Sequence, residues 1–218
     1  MDKTLLFLIN HEWTNAFLDW LMATFTNFDV WRPVLAIIGF LLLWRGNFRT
    51  RAFVLATLIT IGVTDGCFTQ FTKKLTSRPR PSQALAEVRE VSLEKVKPAF
   101  IALFRPVQVS FSKPPMRTID GRSFPSGHAM NNTVIAVFAI LFFGRIGLWY
   151  LIPASLVSYS RIYCGSHWPS DVIVSVILAI GFSLIIATIL GLLYDRIAMK
   201  WVPQFYTKHP SLFGHQPA

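Results

Sequence analysis

Apolar residues along the chain gather in long runs separated by short polar clusters. The clearest runs cover 33–44, extendable on both sides, 52–71, 131–143, 148–159 and 172–193, with a weaker one at 13–28. A helix needs about 20 mostly apolar residues to cross the hydrocarbon core. Backbone in lipid must satisfy its own hydrogen bonds, and these runs are too long and continuous for barrel strands, so helices are expected. The pattern predicts an all-α membrane protein, a six-transmembrane helical bundle forming one domain over 1–218. One long connection, at about 73–123, is the only substantial segment outside the spans.

Composition agrees. The 218 residues are 53% hydrophobic and only 15% charged, with 19 Phe and 7 Trp, and mean hydropathy is +0.47. A soluble domain carries about a quarter charged residues, so large buried helices of a soluble core are the weaker reading. The start, MDKTLLFLINHEW, has one Lys and a short apolar run but no small-residue cleavage site, so the first spans would do the targeting. Cys67 and Cys164 form no CxxC motif and read as free, mostly buried thiols.

The net charge of +10 raises a nucleic-acid reading. No basic helix or Cys/His finger stands free of the apolar runs, so the cations are expected to set topology and meet anionic headgroups. The short stretch 44–51 holds Arg45, Arg49 and Arg51 and no acid; the tail holds Arg196, Lys200 and Lys208 against Asp195. The positive-inside rule puts both in the cytoplasm. More basic residues fall on the opposite face, most of them in the long connection, and long loops translocate with little regard to charge. Within that connection 82–97 (SQALAEVREVSLEKVK) reads as a short surface helix. The proline-broken stretch 100–123 follows; its IALF segment would either dip into the interface or pack on the spans.

Three polar clusters interrupt the apolar pattern. KKLTSRPRP, at 73–81, closes the third expected span; its prolines stop the helix and fix the chain direction near Arg80. Alone it could be headgroup attraction and snorkelling. RSFPSGHAMNN, at 122–132, opens the fourth. Ser126 suits an N-cap, Gly127 permits close backbone approach, and the first-turn amides form a ready anion site beside His128. Alone it could be a capped helix start with an incidental histidine. SRIYCGSHWPSD, at 160–171, links the fifth and sixth spans. Pro169 suits a first helical turn, and His167 and Asp171, four apart, would share a face. A carboxylate on one imidazole nitrogen would free the other as a nucleophile, although a structural His–Asp pair reads the same way.

Alternating spans would bring all three clusters to one face. The expected assembly of Lys73, Arg80, Arg161, His128, His167, Asp171 and a helix N-terminus suits a phosphoryl dianion, whose oxygens match arginine forks. Zinc on His128, His167 and Asp171 is the competing reading, set back by the number of cations nearby. No Walker loop, zincin motif or GxSxG is present. A transporter would explain intramembrane charge, but not its collection at helix ends on one face.

The chain resembles the type 2 phosphatidic acid phosphatase (PAP2) superfamily, also called vanadium-haloperoxidase-like. The family's three signatures occur in order: Lys73, six residues, then Arg80–Pro81; Pro125–Ser126–Gly127–His128; and Ser160–Arg161, five residues, His167, three residues, Asp171. The resemblance implies a six-helix bundle of that type and a metal-independent lipid phosphatase with no cofactor. It implies His167 as nucleophile through a phosphohistidine, Asp171 orienting it and His128 protonating the leaving oxygen. Lys73, Arg80, Ser126, Gly127 and Arg161 would hold the phosphoryl oxygens. The expected setting is a bacterial inner membrane, with the site facing the periplasm or exterior and a lipid phosphate entering laterally. The compact chain and basic loop favour undecaprenyl diphosphate. Lipid A 1-phosphate, phosphatidylglycerophosphate and phosphotransfer to an acceptor other than water are the alternatives.

Overall fold

The computed structural model describes residues 1–113 and 122–213. Part of the long connection, 114–121 with its Arg117, and the end of the tail lie outside the described residues.

The chain opens with α1 (Asp2–Phe7), continued by wide helical turns over Leu8–Glu12. Asn15 starts α2 (Ala16–Thr26) by accepting the Leu18 N–H at 2.9 Å. Asn27 ends α2 and caps α3 (Phe28–Arg45), taking the Asp29 N–H at 3.1 Å. Asn47 does the same for α4 (Phe48–Ile61). Each cap satisfies a donor that the first helical turn leaves over. Wide turns at Gly62–Thr69 carry α4 into α5 (Gln70–Thr76), which stops at left-handed Ser77 before the prolines. Then come α6 (Pro81–Ala84), β1 (Arg89–Ser92), a tight turn at Ala99–Phe104 and β2 (Gln108–Phe111). The last part holds α7 (Gly127–Phe143), a 3₁₀ stretch at Gly144–Tyr150, α8 (Leu151–Tyr163), the long α9 (Pro169–Trp201) and α10 (Pro203–Lys208).

Two expectations are corrected. Among the described residues three helical runs are long and apolar enough to cross a membrane: Phe48–Ala84, Gly127–Tyr163 and Pro169–Trp201. The pair Ala16–Thr26 and Phe28–Arg45, bent by 54°, would make a fourth. The six-span bundle is therefore not the observed architecture. The runs at 131–143 and 148–159 fall in the single stretch Gly127–Tyr163, whose last helix has 13 residues. That is about 20 Å, short of the roughly 30 Å hydrocarbon core. The runs at 13–28 and 33–44 likewise meet at the bend beside Asn27. The second correction concerns 82–97. Only its start is helical, and Arg89–Ser92 pairs antiparallel with Gln108–Phe111, Arg89 opposite Phe111. Val91 and Leu93 are buried while Glu90 and Ser92 are exposed. This period of two prevails over the helix-forming composition. Among the described residues the fold is thus all-α apart from one two-stranded antiparallel pair.

Two apolar clusters position the site. In one, α7 packs against α4 and α9 through Met130, Val134, Phe138 and Phe142, all fully buried. In the other, Leu6 of α1, Met22 and Ala23 of α2, and Val88 and Val91 of the hairpin pack onto Ile162, Tyr163 and Cys164. The connection is therefore fastened over the end of α8, where the third polar cluster begins. Outward positions of α9, such as Ile177, Ile185 and Leu192, stay exposed, as suits a helix solvated by lipid.

Candidate active site

The third cluster forms a tight turn between α8 and α9. The Arg161 carbonyl accepts the N–H groups of Ser166 and His167, at 3.1 and 3.0 Å. Gly165 allows the reversal: its φ is +67°, and an added Cβ would lie 2.6 Å from the Arg89 carbonyl oxygen and 2.8 Å from Val88 Cγ1. The first of these is backbone of the paired strand β1 and cannot swing aside as a flexible side chain would. Gly165→Ala is therefore expected to cost at least about 2 kcal/mol, from left-handed strain and the clash together. A thermal melt of the purified variant checks this.

The hairpin side of the turn is held by a closed polar network. Asn10 donates to the carbonyls of Tyr163 and Arg89 at 2.6 and 2.9 Å and accepts the Arg89 N–H at 2.8 Å. Asp19 binds the Arg89 guanidinium at 2.8 Å and accepts the Tyr163 hydroxyl at 2.7 Å. The Asn10 amide, both Arg89 Nη groups and the Tyr163 hydroxyl all have partners, which is what keeps such a network from being a liability. Cys164, beside it, is a packing residue: burial, above all, pushes its thiol up to about 12, far from the reactive range.

His167 is only 3% exposed, and its Nδ1 has no hydrogen-bond partner among the described residues. Burial first, and then the cations of Arg161, Arg80 and Lys73, push its imidazole well below the ordinary value. The ring is neutral at physiological pH, the form a nucleophile needs. The same three cations lie within electrostatic reach of His128, so the three clusters do converge. Lys73 sits near the end of α5, half-buried, while Arg80 is exposed just before α6. Arg161 is buried in the last turn of α8. One of its nitrogens, Nη1, binds Thr26 Oγ1, and its Nε has no partner among the described residues.

Ser126 occupies the N-cap position of α7, as expected, but its hydroxyl makes no capping bond and lies buried without a partner among the described residues. Its N–H donates to Ser175 Oγ at 2.8 Å, and Ser175 donates in turn to the Asp171 carbonyl at 2.5 Å. That chain ties the start of α7 to the start of α9. Gly127 is the first residue of α7 and lies against Asp65, whose Oδ1 would be 3.0 Å from an added Cβ. Asp65 also accepts from Asn131 at 3.3 Å. The ring of His128 meets Phe28 edge-on at 6.3 Å.

Asp171 is placed differently from the expected His–Asp pair. It is the third residue of α9, which begins at Pro169, and its carboxylate caps the turn by accepting the Trp168 N–H at 3.2 Å. It also accepts from Ser123 Oγ at 2.5 Å and from Arg78 Nη1. No bond joins it to His167, which precedes the helix, so the four-residue spacing does not align the two side chains. The carboxylate reaches His167 through its neighbours: Trp168 follows it in the chain, and the Ser123 main chain lies against its ring. Arg78 and Ser123 stand inside the clusters read from the sequence yet were not singled out there. Thr26, Ser175 and Asp65 carried no local signal.

Among the described residues no group of three or more His, Cys, Asp or Glu is placed to hold a metal ion. Below the site a cavity of about 510 Å³ runs between α7, α8 and α9, lined by Thr133, Val137, Leu151, Ser155 and Ile180 among others. Its lining begins five residues after His128 on α7 and three before Arg161 on α8.

Comparison with known proteins gives a family match that spans these residues. The PAP2 superfamily model matches residues 52–195, which hold all three clusters. A lipid A 4'-phosphatase of Bacteroides thetaiotaomicron is 27% identical over 204 residues, covering 90% of this chain and 76% of that protein. An undecaprenyl-diphosphatase of Sulfolobus acidocaldarius is 51% identical over 53 residues, 23% of this chain and 25% of that protein. The crystal structure of Aquifex aeolicus LpxE superposes with a TM-score of 0.57 at 24% identity, over 85% of this chain and 93% of that one. At that identity the likeness is one of fold.

Proposed function

Because the chain belongs to the PAP2 superfamily and is a multi-pass membrane phosphatase acting on a lipid phosphate, we propose that its substrate is lipid A and that His167 carries the phosphoryl group between lipid and water. The lipid A reading rests on the relative that matches nearly the whole chain. The match to an undecaprenyl-diphosphatase is closer but covers 53 residues. It keeps a polyprenyl diphosphate, favoured by the compact chain and basic loop, as the second reading, while the relative matching nearly the whole chain moves the preference to lipid A.

One observation carries the chemistry. Ser126 Oγ, Arg161 Nε and His167 Nδ1 are buried polar atoms without partners among the described residues, and each belongs to a signature residue. A buried polar atom left unpaired costs about 1–3 kcal/mol, and a bound phosphoryl group would satisfy all three. In the reaction, a neutral His167 nitrogen attacks phosphorus and the bond to the leaving oxygen breaks. His128 gives that oxygen a proton. Lys73, Arg80, Arg161, Ser126 and the Gly127 amide hold the phosphoryl oxygens as charge shifts, which is most of what phosphoryl transfer asks of a protein. Water, giving a proton back to His128, then attacks the phosphohistidine; the N–P bond breaks, its electron pair returns to His167 and inorganic phosphate leaves. Asp171 acts on the turn that presents His167. The cavity below would take an acyl chain while the headgroup meets the cations.

The proposed orientation places this chemistry outside the cytoplasm. Arg49 near the start of α4 and Lys73 on α5 lie 24 positions apart along the run Phe48–Ala84, about 36 Å of helix. The positive loop and the site are then at opposite ends of one span.

The test is phosphate release by the purified protein in detergent with EDTA, offered lipid A carrying its 1- or 4'-phosphate, undecaprenyl diphosphate and phosphatidylglycerophosphate. Release from lipid A, undiminished by EDTA, is expected. Release only from undecaprenyl diphosphate would move the assignment to the second reading. Release that needs an added acceptor would make the protein a phosphotransferase. No release from any lipid by folded protein would overturn the hydrolase reading.

A further inference from the structure

The first helix reaches the nucleophile turn. Asp2 Oδ1 accepts the Ser170 N–H at 2.9 Å, and Asp2 Oδ2 accepts the Ser170 hydroxyl at 2.5 Å and Arg78 Nη2 at 2.7 Å. The other end of the Arg78 fork, Nη1, binds Asp171 and Ser170 Oγ, the latter at 3.0 Å. The guanidinium is held flat as well: Trp168 lies over it at 5.4 Å, and the Trp168 indole N–H donates to the Pro79 carbonyl at 2.9 Å. Two carboxylates far apart in the sequence, Asp2 and Asp171, thus share one arginine, and both cap the first turn of α9. That turn begins two residues after His167.

We propose that Asp2 is a positioning residue for the phosphatase reaction, fixing the nucleophile turn through Arg78 and Ser170. The inference rests on the role given to His167 above and extends the site to a residue outside the 52–195 family match. Its geometry separates binding from turnover. Asp2 touches none of the groups assigned to the phosphoryl oxygens, Lys73, Arg80, Ser126, Gly127 and Arg161. It touches the fork that holds Asp171, and Asp171 holds the Trp168 N–H and the Ser123 hydroxyl, two residues that adjoin His167. Loss of Asp2 frees one Nη group of Arg78 and one amide of α9. The arginine can then swing, and the turn loosens while the cations stay in place. The docking that makes this firm is apolar: Leu6 is fully buried and α1 packs against α9. Burial pushes the Asp2 carboxyl up, but the Ser170 bonds and Arg78 outweigh it and hold it below the ordinary carboxylate range. The clamp is therefore charged throughout the neutral range.

The experiment compares wild type, Asp2→Asn, Asp2→Glu and the neighbouring control Lys3→Gln in steady-state hydrolysis of lipid A, with inhibition by inorganic phosphate as a separate measure of the oxyanion contacts. Asp2→Asn is expected to lower kcat about 10- to 100-fold, with KM and phosphate inhibition within about twofold. Asp2→Glu, which keeps the charge, should recover most of the loss, and Lys3→Gln should match wild type. An Asp2→Asn variant with wild-type kcat overturns the inference. So does a parallel loss of turnover, phosphate inhibition and thermal stability, which a purely structural role would give. A wild type silent on every lipid overturns the functional reading and the inference with it; an active wild type with an indifferent Asp2→Asn overturns the inference alone.

Discussion

His167→Ala is expected to lower kcat by at least about 10⁴-fold, the scale on which removal of a covalent nucleophile acts. Inorganic phosphate inhibition should change by less than about tenfold, because Lys73, Arg80 and Arg161 are untouched. The same residue sets a pH effect on stability. Its folded imidazole is held well below the ordinary 6.5 by burial and then by Arg161 and Arg80. As pH falls below 6.5 the unfolded chain takes up this proton first, so stability present above 6.5 is lost as pH drops toward the folded value. Melts of wild type between pH 7 and 5 should show that decline, and His167→Ala should show less of it. Equal slopes would contradict the neutral, buried imidazole.

Asp171→Asn should reduce both stability and turnover. Its carboxylate is fully buried and accepts from three groups: Ser123 Oγ, the Trp168 N–H and Arg78. An amide has one acceptor oxygen and turns an NH₂ toward at least one of these donors. Breaking a buried charge pair costs about 3–5 kcal/mol. The lower end applies because the Arg78 side chain is 36% exposed. About 3 kcal/mol corresponds to a fall in Tm of roughly 6–12 °C for a chain of this size. The loosened turn should lower kcat about 100-fold, with phosphate inhibition nearly unchanged. Unaltered Tm and kcat would show that the carboxylate does not hold the turn.

The residues of the candidate site stand out in the sequence because the chemistry proposed for them demands particular residue types at short fixed spacings. Lys73 to Arg80, Ser126 to His128 and Arg161 to Asp171 are each read within a dozen residues, and the structure brings the cations of the first and third clusters around both histidines. What failed was geometry inferred from spacing alone. His167 and Asp171 are four apart, but Trp168 caps α9 between them and the carboxylate turns back onto the cap. The spans failed for a related reason: an apolar run says that a segment avoids water and leaves open where a helix bends. Asn27 and the 3₁₀ stretch Gly144–Tyr150 break runs that hydropathy treats as separate spans. The Asp2 clamp was invisible, because it joins residues 76 and 168 positions apart, and no local pattern encodes a contact of that kind.

The central claim is that phosphate passes through His167. Rapid quenching of the wild-type protein during turnover of ³²P-labelled lipid A tests it directly. The account predicts an alkali-stable, acid-labile phosphoramidate on the peptide carrying His167, formed and lost at rates compatible with kcat. Label on a different residue, or full turnover with no label on His167, would contradict it.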